Sequence, residues 1–267
     1  MWIFVLGNVM KLKDYEDHLK SALSVYRIDS ATMDALQEKF LVTLAILVGA
    51  MGLSQLLNLV EIGVLAGFLQ LLLFLVVIAS FIPFSISVVK LALKQKDDFT
   101  LIQALESPSS LTFIKILLAI LGFSLLALWP FILGQFIIAS KSNIFEAYTM
   151  IWAVIGGLLT LYFYARILGA FVLSVAGKNS SLAETFRGTH GHAANIILII
   201  LVTCVPLSLL QMLLKYSIGG LLNTNLLGLT IPVHILMFFI PSVVFLLQGY
   251  LLWSALTHYM KASKLLS

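Results

Sequence analysis

The chain has 267 residues, of which 61% are hydrophobic and only 10% charged, and its mean hydropathy is +1.07. A soluble domain carries about 25% charged residues, so this composition cannot dress a water-facing globule. Soluble enzymes, disordered chains and nucleic-acid binders are thereby excluded, and the formal net charge of +4 points to basic residues flanking a bilayer rather than to nucleic acid. The expected class is an all-α, polytopic membrane protein.

Residues 1–39 read as an amphipathic, interfacial region. Met1 to Met10 is apolar, but it has no basic n-region and no small-residue cleavage site, and it is too short to span. Leu12, Tyr15, Leu19 and Leu23 recur at helical spacing among charged residues, as in a helix lying along a membrane surface. Residues 40–260 then form the expected six-helix transmembrane domain, with spans at about 40–60, 62–89, 111–139, 147–176, 193–214 and 230–259. Pro83 lies in the second span and Pro130 in the third. The sixth run contains Pro232 and Pro241, which predict an irregular lead-in before Pro241 and a regular helix after it. Residues 261–267 are a short basic tail.

With both termini cytoplasmic, 14 of the 16 Lys and Arg residues fall on the inner side and only Lys141 and Lys215 on the outer. That bias requires an even number of spans. A faint threefold repeat accompanies it. Thr32, Thr100 and Ser181 each precede a short amphipathic turn ahead of an odd-numbered span, and each is a candidate N-cap of an interfacial helix. The architecture would then be three helical hairpins, each preceded by such a helix.

Tyr162-Phe163-Tyr164-Ala165-Arg166-Ile167, followed by Ser180 to Gly191, resembles a group of six-span bacterial membrane proteins. The group includes the YciC-like proteins and the membrane domain found beside some glycerophosphodiester phosphodiesterases. The resemblance implies a multi-pass protein of the bacterial inner membrane. It carries over no catalytic residue, because the phosphodiesterase chemistry belongs to a separate soluble domain that this chain is expected to lack.

Several residues are candidates for function. Arg166 lies roughly 28 Å along a helix counted from Ala147 at ~1.5 Å per residue. It either contacts a lipid headgroup or pairs with Glu184, or it snorkels to the inner headgroups. Arg187-Gly188-Thr189-His190-Gly191-His192 combines glycines, a hydroxyl, an arginine and a helix start, the ingredients of a phosphate cradle or of a flexible polar loop. His190 and His192 lack a third ligand nearby, so neither metal nor cofactor is expected. Gln70, His234 and Gln248 fall inside apolar runs and form a candidate intramembrane polar site, or else serve packing. Glu61 and Glu146 flank outer ends and are either proton-relaying carboxylates or solvated ones. Gly63, Gly67, Ala153, Gly157, Ala165 and Gly169 mark small-residue spacings for close helix contact, within the bundle or between protomers. Trp129, Tyr148 and Trp152 suit an outer aromatic belt. Cys204 reads as a small core residue.

No nucleophile elbow, zinc-protease, phosphate-loop or dinucleotide motif is present. A non-enzymatic role follows, with membrane phospholipid as partner, alongside a homo-oligomer or another membrane protein. The first reading is a protein that organises or senses the bilayer, or a membrane complex, through lipid contacts at its cytoplasmic face. The alternative is a small transporter or permease subunit for a lipid or other amphiphile. A polar cavity containing Gln70, Gln248 or His234 distinguishes the second from the first.

Overall fold

The computed structural model describes residues 30–59, 64–97, 99–131, 143–178, 181–222 and 230–266. Among them, six helices are long and apolar enough to cross a membrane. In chain order the elements are α1 (Ser30–Leu59), α2 (Val64–Leu93), the short α3 (Leu101–Glu106) and α4 (Pro108–Ala127). They continue with α5 (Asn143–Ile167), α6 (Gly169–Val175), the short α7 (Leu182–Gly188), a 3-10 turn at His190–His192, α8 (Ala193–Leu222) and α9 (Thr230–Ala262). Consecutive spanning helices pack together: α1 on α2, α4 on α5, and α8 on α9. Helix α9 also packs against α1, α2 and α6, which makes it the central strut of the bundle.

The caps follow from the sequence. Thr100 and Ser181 are the N-caps of α3 and α7, each completing a capping box, with Gln103 and Glu184 respectively. Ser107 caps α4 and Pro108 occupies its first turn, where a missing N–H costs nothing. Pro108 therefore begins the third span rather than merely stopping the helix before it. Three even-numbered spans end alike. Lys94, Gly177 and Lys264 take left-handed backbone at φ 59°, 79° and 58°. In each case the next N–H reaches back over the turn, from Gln95 to Lys90 O, Lys178 to Leu173 O and Leu265 to Met260 O.

Two expectations are corrected. Thr32 does not cap a separate interfacial helix, because α1 runs unbroken from Ser30 into the first span. The sixth span has no irregular lead-in, since α9 is continuous through Pro232 and Pro241. Pro232 stands in the first turn, where a missing N–H costs nothing, and neighbouring helices and local adjustment satisfy the carbonyl freed by Pro241 inside the helix. The fourth span is divided at Leu168 into α5 and α6; α4 ends at Ala127, residues 129–131 are helical again, and residues 132–142 lie outside the described residues. Residues 1–29, Glu61, Gly63 and Lys141 lie outside the described residues.

The core is concentrated at one end of the bundle. Phe84, Ile86, Val88, Leu91, Ile167, Phe171, Ile196, Leu256 and Met260 are all buried there. Phe113, Phe171 and Trp253 close on one another with ring centroids 4.6–6.2 Å apart. Elsewhere the helices present Leu, Phe and Met outward: Leu126 is 76% exposed and Met150 71%. Such a surface is stable only in lipid.

Small residues work at fewer places than their spacing predicts. Ala165 is fully buried, and a Cβ on Gly169 would come within 3.1 Å of Met260. Gly156, not Gly157, meets the end of α4, with the Ala127 carbonyl 2.8 Å from where its Cβ would stand. Gly67 and Gly157 meet nothing within 4 Å, and Ala153 is half-buried.

Candidate functional site

The well-packed end holds the buried charges. Lys39, in α1, is 3% exposed and donates from Nζ to Asp97 Oδ2 at 2.6 Å and to Ser87 Oγ at 2.9 Å. The Ser87 hydroxyl also bonds Asp97 Oδ2. Lys90 Nζ lies 3.6 Å from Asp97 Oδ1 and 3.5 Å above the centre of the Phe99 ring. One carboxylate thus ties the first span to the second and to the connector into α3. Charge pairing of this kind is what allows two lysines to leave water.

Arg166 is 2% exposed, so it neither snorkels nor reaches a headgroup. Its Nε donates to the Phe186 carbonyl at 2.9 Å and to Thr189 Oγ1 at 3.3 Å, Nη2 bonds the same carbonyl, and Nη1 bonds the Tyr162 hydroxyl. Its guanidinium stands 4.1 Å from the Phe186 ring centre. Glu184 is not its partner. That carboxylate accepts from the Ser181 backbone N–H at 2.8 Å, which holds it below the usual carboxylate range. Arg166 therefore pins the end of α7 to the end of α5.

The same bonding consumes Thr189, which is 2% exposed and donates to backbone carbonyls, Arg166 O at 2.8 Å among them. Arg187, His190 and Gly191 are exposed. The anticipated phosphate cradle is thus left with no buried, inward-facing donor of its own. His192 Nδ1 lies 2.7 Å from the Tyr259 hydroxyl, which also accepts from Asn195 at 3.1 Å. Among the described residues no cluster of three His, Cys, Asp or Glu is placed to hold a metal.

The capping box gives a direct prediction. Ser181→Ala removes the acceptor for the Glu184 N–H and weakens α7 by about 1 kcal/mol, read as faster amide exchange in residues 182–188. Because the Glu184 carboxyl is held low in the folded state, its contribution is present above its unfolded pKa. It disappears as pH falls through the folded value in wild type and variant alike, since both keep the backbone N–H of residue 181, so the cost of Ser181→Ala persists in acid.

The other half of the bundle is open. A cavity of about 640 Å³ lies between α1, α2, α8 and α9, within the range of about 300–1,000 Å³ usual for small-molecule sites. Ser54 and Gln55 of α1, Gln70 of α2, and Ser208 and Gln211 of α8 line it, among apolar side chains that include Met51, Met212 and Met237. Among the described residues no charged side chain lines it. Gln211 Nε2 stands 3.5 Å from the Pro241 carbonyl. Pro241 has no N–H to give the Met237 carbonyl one turn earlier, and both residues line the cavity. Gln55 and Ser208 are exposed at its rim.

Gln70 is therefore at this cavity. Gln248 is near it: its Nε2 contacts Ser208 Oγ and the Cys204 carbonyl, each at 3.4 Å. The backbone of His234 is helical, and its side chain is outside the described residues, as is that of Glu146. Sequence reasoning missed Lys39 and Asp97 as a pair, and it missed Gln55 and Gln211. The two glutamines carry a visible signal, a neutral polar residue inside a charge-free run.

Comparison with family models, characterised proteins and solved structures finds no match to the chain.

Proposed function

We propose that this chain is a non-enzymatic, multi-pass protein of the bacterial inner membrane that holds an amphiphile in the cavity between α1, α2, α8 and α9. A lipid carrier or permease subunit works in this way. The cavity itself carries the reading: five neutral hydrogen-bonding side chains from three helices converge inside membrane-crossing segments. Polar groups in hydrocarbon are costly unless bonded, so they gather where a polar ligand can meet them. The methionines around them adapt to an irregular chain. The excess of basic residues at the well-packed end supports a cytoplasmic orientation for that end.

Lipid contact at the cytoplasmic rim has its own support. Phe99, Ile102 and Leu105 are exposed beside exposed Lys94 and Lys96, a face suited to the headgroup boundary. This face seats the bundle. Arg166 and Thr189, occupied internally, are not its ligands.

Native mass spectrometry from nanodiscs tests the proposal. Wild type is expected to retain one amphiphile. Gln70→Leu combined with Gln211→Leu loses two neutral hydrogen bonds of about 1 kcal/mol each, a roughly thirtyfold weaker affinity. Equal retention by the double variant, in a protein that still folds, overturns the assignment of the cavity.

A further inference from the structure

A second cavity, of about 250 Å³, lies one helical turn further toward the well-packed end. The step repeats on three helices. Val77, Ser208 and Pro241 line the first cavity, and Phe81, Cys204 and Phe245 line the second. The second is apolar apart from Tyr164, Gln248 and Cys204, and among the described residues again no charged side chain lines it. Between the two stand the Phe81 and Phe245 rings, with centroids 5.2 Å apart, and the Gln248–Ser208 contact at 3.4 Å. Phe81 has its place only because residue 249 is glycine: a Cβ there would fall 2.6 Å from the ring. Beyond the second cavity the Phe113–Phe171–Trp253 cluster closes the way, and the Lys39–Asp97 pair lies at the same end.

We infer that the ligand is a non-ionic, single-chain amphiphile, with a hydroxyl-bearing head among Gln55, Gln70 and Gln211 and a tail that passes Phe81 and Phe245 into the second cavity. This rests on the function proposed above and names its substrate class. An ionised head would sit in a low-dielectric space with no counter-charge among the described lining residues, whereas amide and hydroxyl side chains match glycerol or alcohol groups. Because the Phe81 and Phe245 rings are in contact, a tail reaches the second cavity only by displacing them, and the small second volume suits one chain. The aromatic floor closes the way toward the Lys39–Asp97 end, while a third cavity of about 350 Å³ shares Ile120 and Tyr164 with the second and can receive the terminal methyl of a longer chain.

The one native cysteine supplies the readout, since Cys204 lines the second cavity. Wild-type protein in nanodiscs is titrated with monoacylglycerols of increasing chain length, and labelling of Cys204 by a membrane-permeant maleimide is followed. Long-chain members are expected to slow labelling at least tenfold. Short-chain members should bind yet leave labelling unchanged. Fatty acids and alkyl-trimethylammonium salts of the same length should protect little. Leu117→Trp, which fills the second cavity, should abolish protection by long chains while short ones still bind. A monoacylglycerol with a diazirine at the tail end gives a readout free of variants, with cross-links expected at Phe113, Ile116 or Trp253.

Equal protection by charged and neutral amphiphiles, or cross-links confined to lipid-facing Leu121, Leu125 and Leu209, overturns this inference. The parent reading survives if native mass spectrometry still finds an amphiphile sensitive to Gln70→Leu and Gln211→Leu. Absence of any bound amphiphile, with no protection of Cys204 by any probe, defeats both.

Discussion

Asp97→Ala is expected to destabilise the bundle by about 3–5 kcal/mol, the usual cost of leaving a buried charge without its partner. Lys39 would keep its bond to Ser87 but lose Asp97, and Lys90 would lose its contact with Asp97 Oδ1. The two ammonium groups would then share a site from which water is excluded. Helix α1 would also lose its tie to the connector that follows α2, so the damage extends beyond a local pocket. Exchanging both partners for apolar residues, Lys39→Met with Asp97→Leu, should restore most of the stability, because desolvation and attraction disappear together. Thermal unfolding in mild detergent separates the cases. A single Asp97→Ala variant as stable as wild type would show that the pair is not closed as described.

The second large effect is at Arg166. A cation on the membrane rim would accept lysine without loss, since either side chain can snorkel. The structure gives the opposite expectation. Arg166 uses its planar fork: Nε and Nη2 converge on the Phe186 carbonyl while the guanidinium lies over the Phe186 ring. Lysine can supply neither the fork nor the stacking plane. Arg166→Lys should therefore cost about 1.5–3 kcal/mol, the usual size of a hydrogen bond to a charged group. Arg166→Met should be no milder, because it leaves the Tyr162 hydroxyl without this donor and the Phe186 carbonyl with only the 3.4 Å contact from Thr189 Oγ1. Both variants should release α7, seen as faster proteolysis between residues 178 and 190. Resistance unchanged in Arg166→Lys would return this arginine to a purely topological role.

The contrast between these charges and the spans shows what a membrane sequence discloses. The long apolar segments are legible because hydrocarbon demands some 20 apolar residues per helix and tolerates few charges. The capping boxes at Thr100 and Ser181 are legible because donor and acceptor lie three residues apart. The Lys39–Asp97 pair is not, since its members are 58 positions apart and either could equally face water. Arg166 was open to three readings for the same reason: sequence gives its depth but not its neighbours. Prolines mislead differently. Pro241 signals a break in water, yet α9 runs through it. The cavity was legible only in part. Gln70 stands out in an apolar run, but an unfilled volume is a property of packing among four helices, and no single helix carries its signature.

The most direct test of the account is a density map of the protein in lipid nanodiscs, at a resolution that shows bound lipid. The account predicts one elongated feature in the cavity, with its head against Gln55, Gln70 and Gln211. A cavity collapsed shut by its own side chains, with ordered lipid only around Arg187 and His190, would contradict it and return function to the cytoplasmic rim.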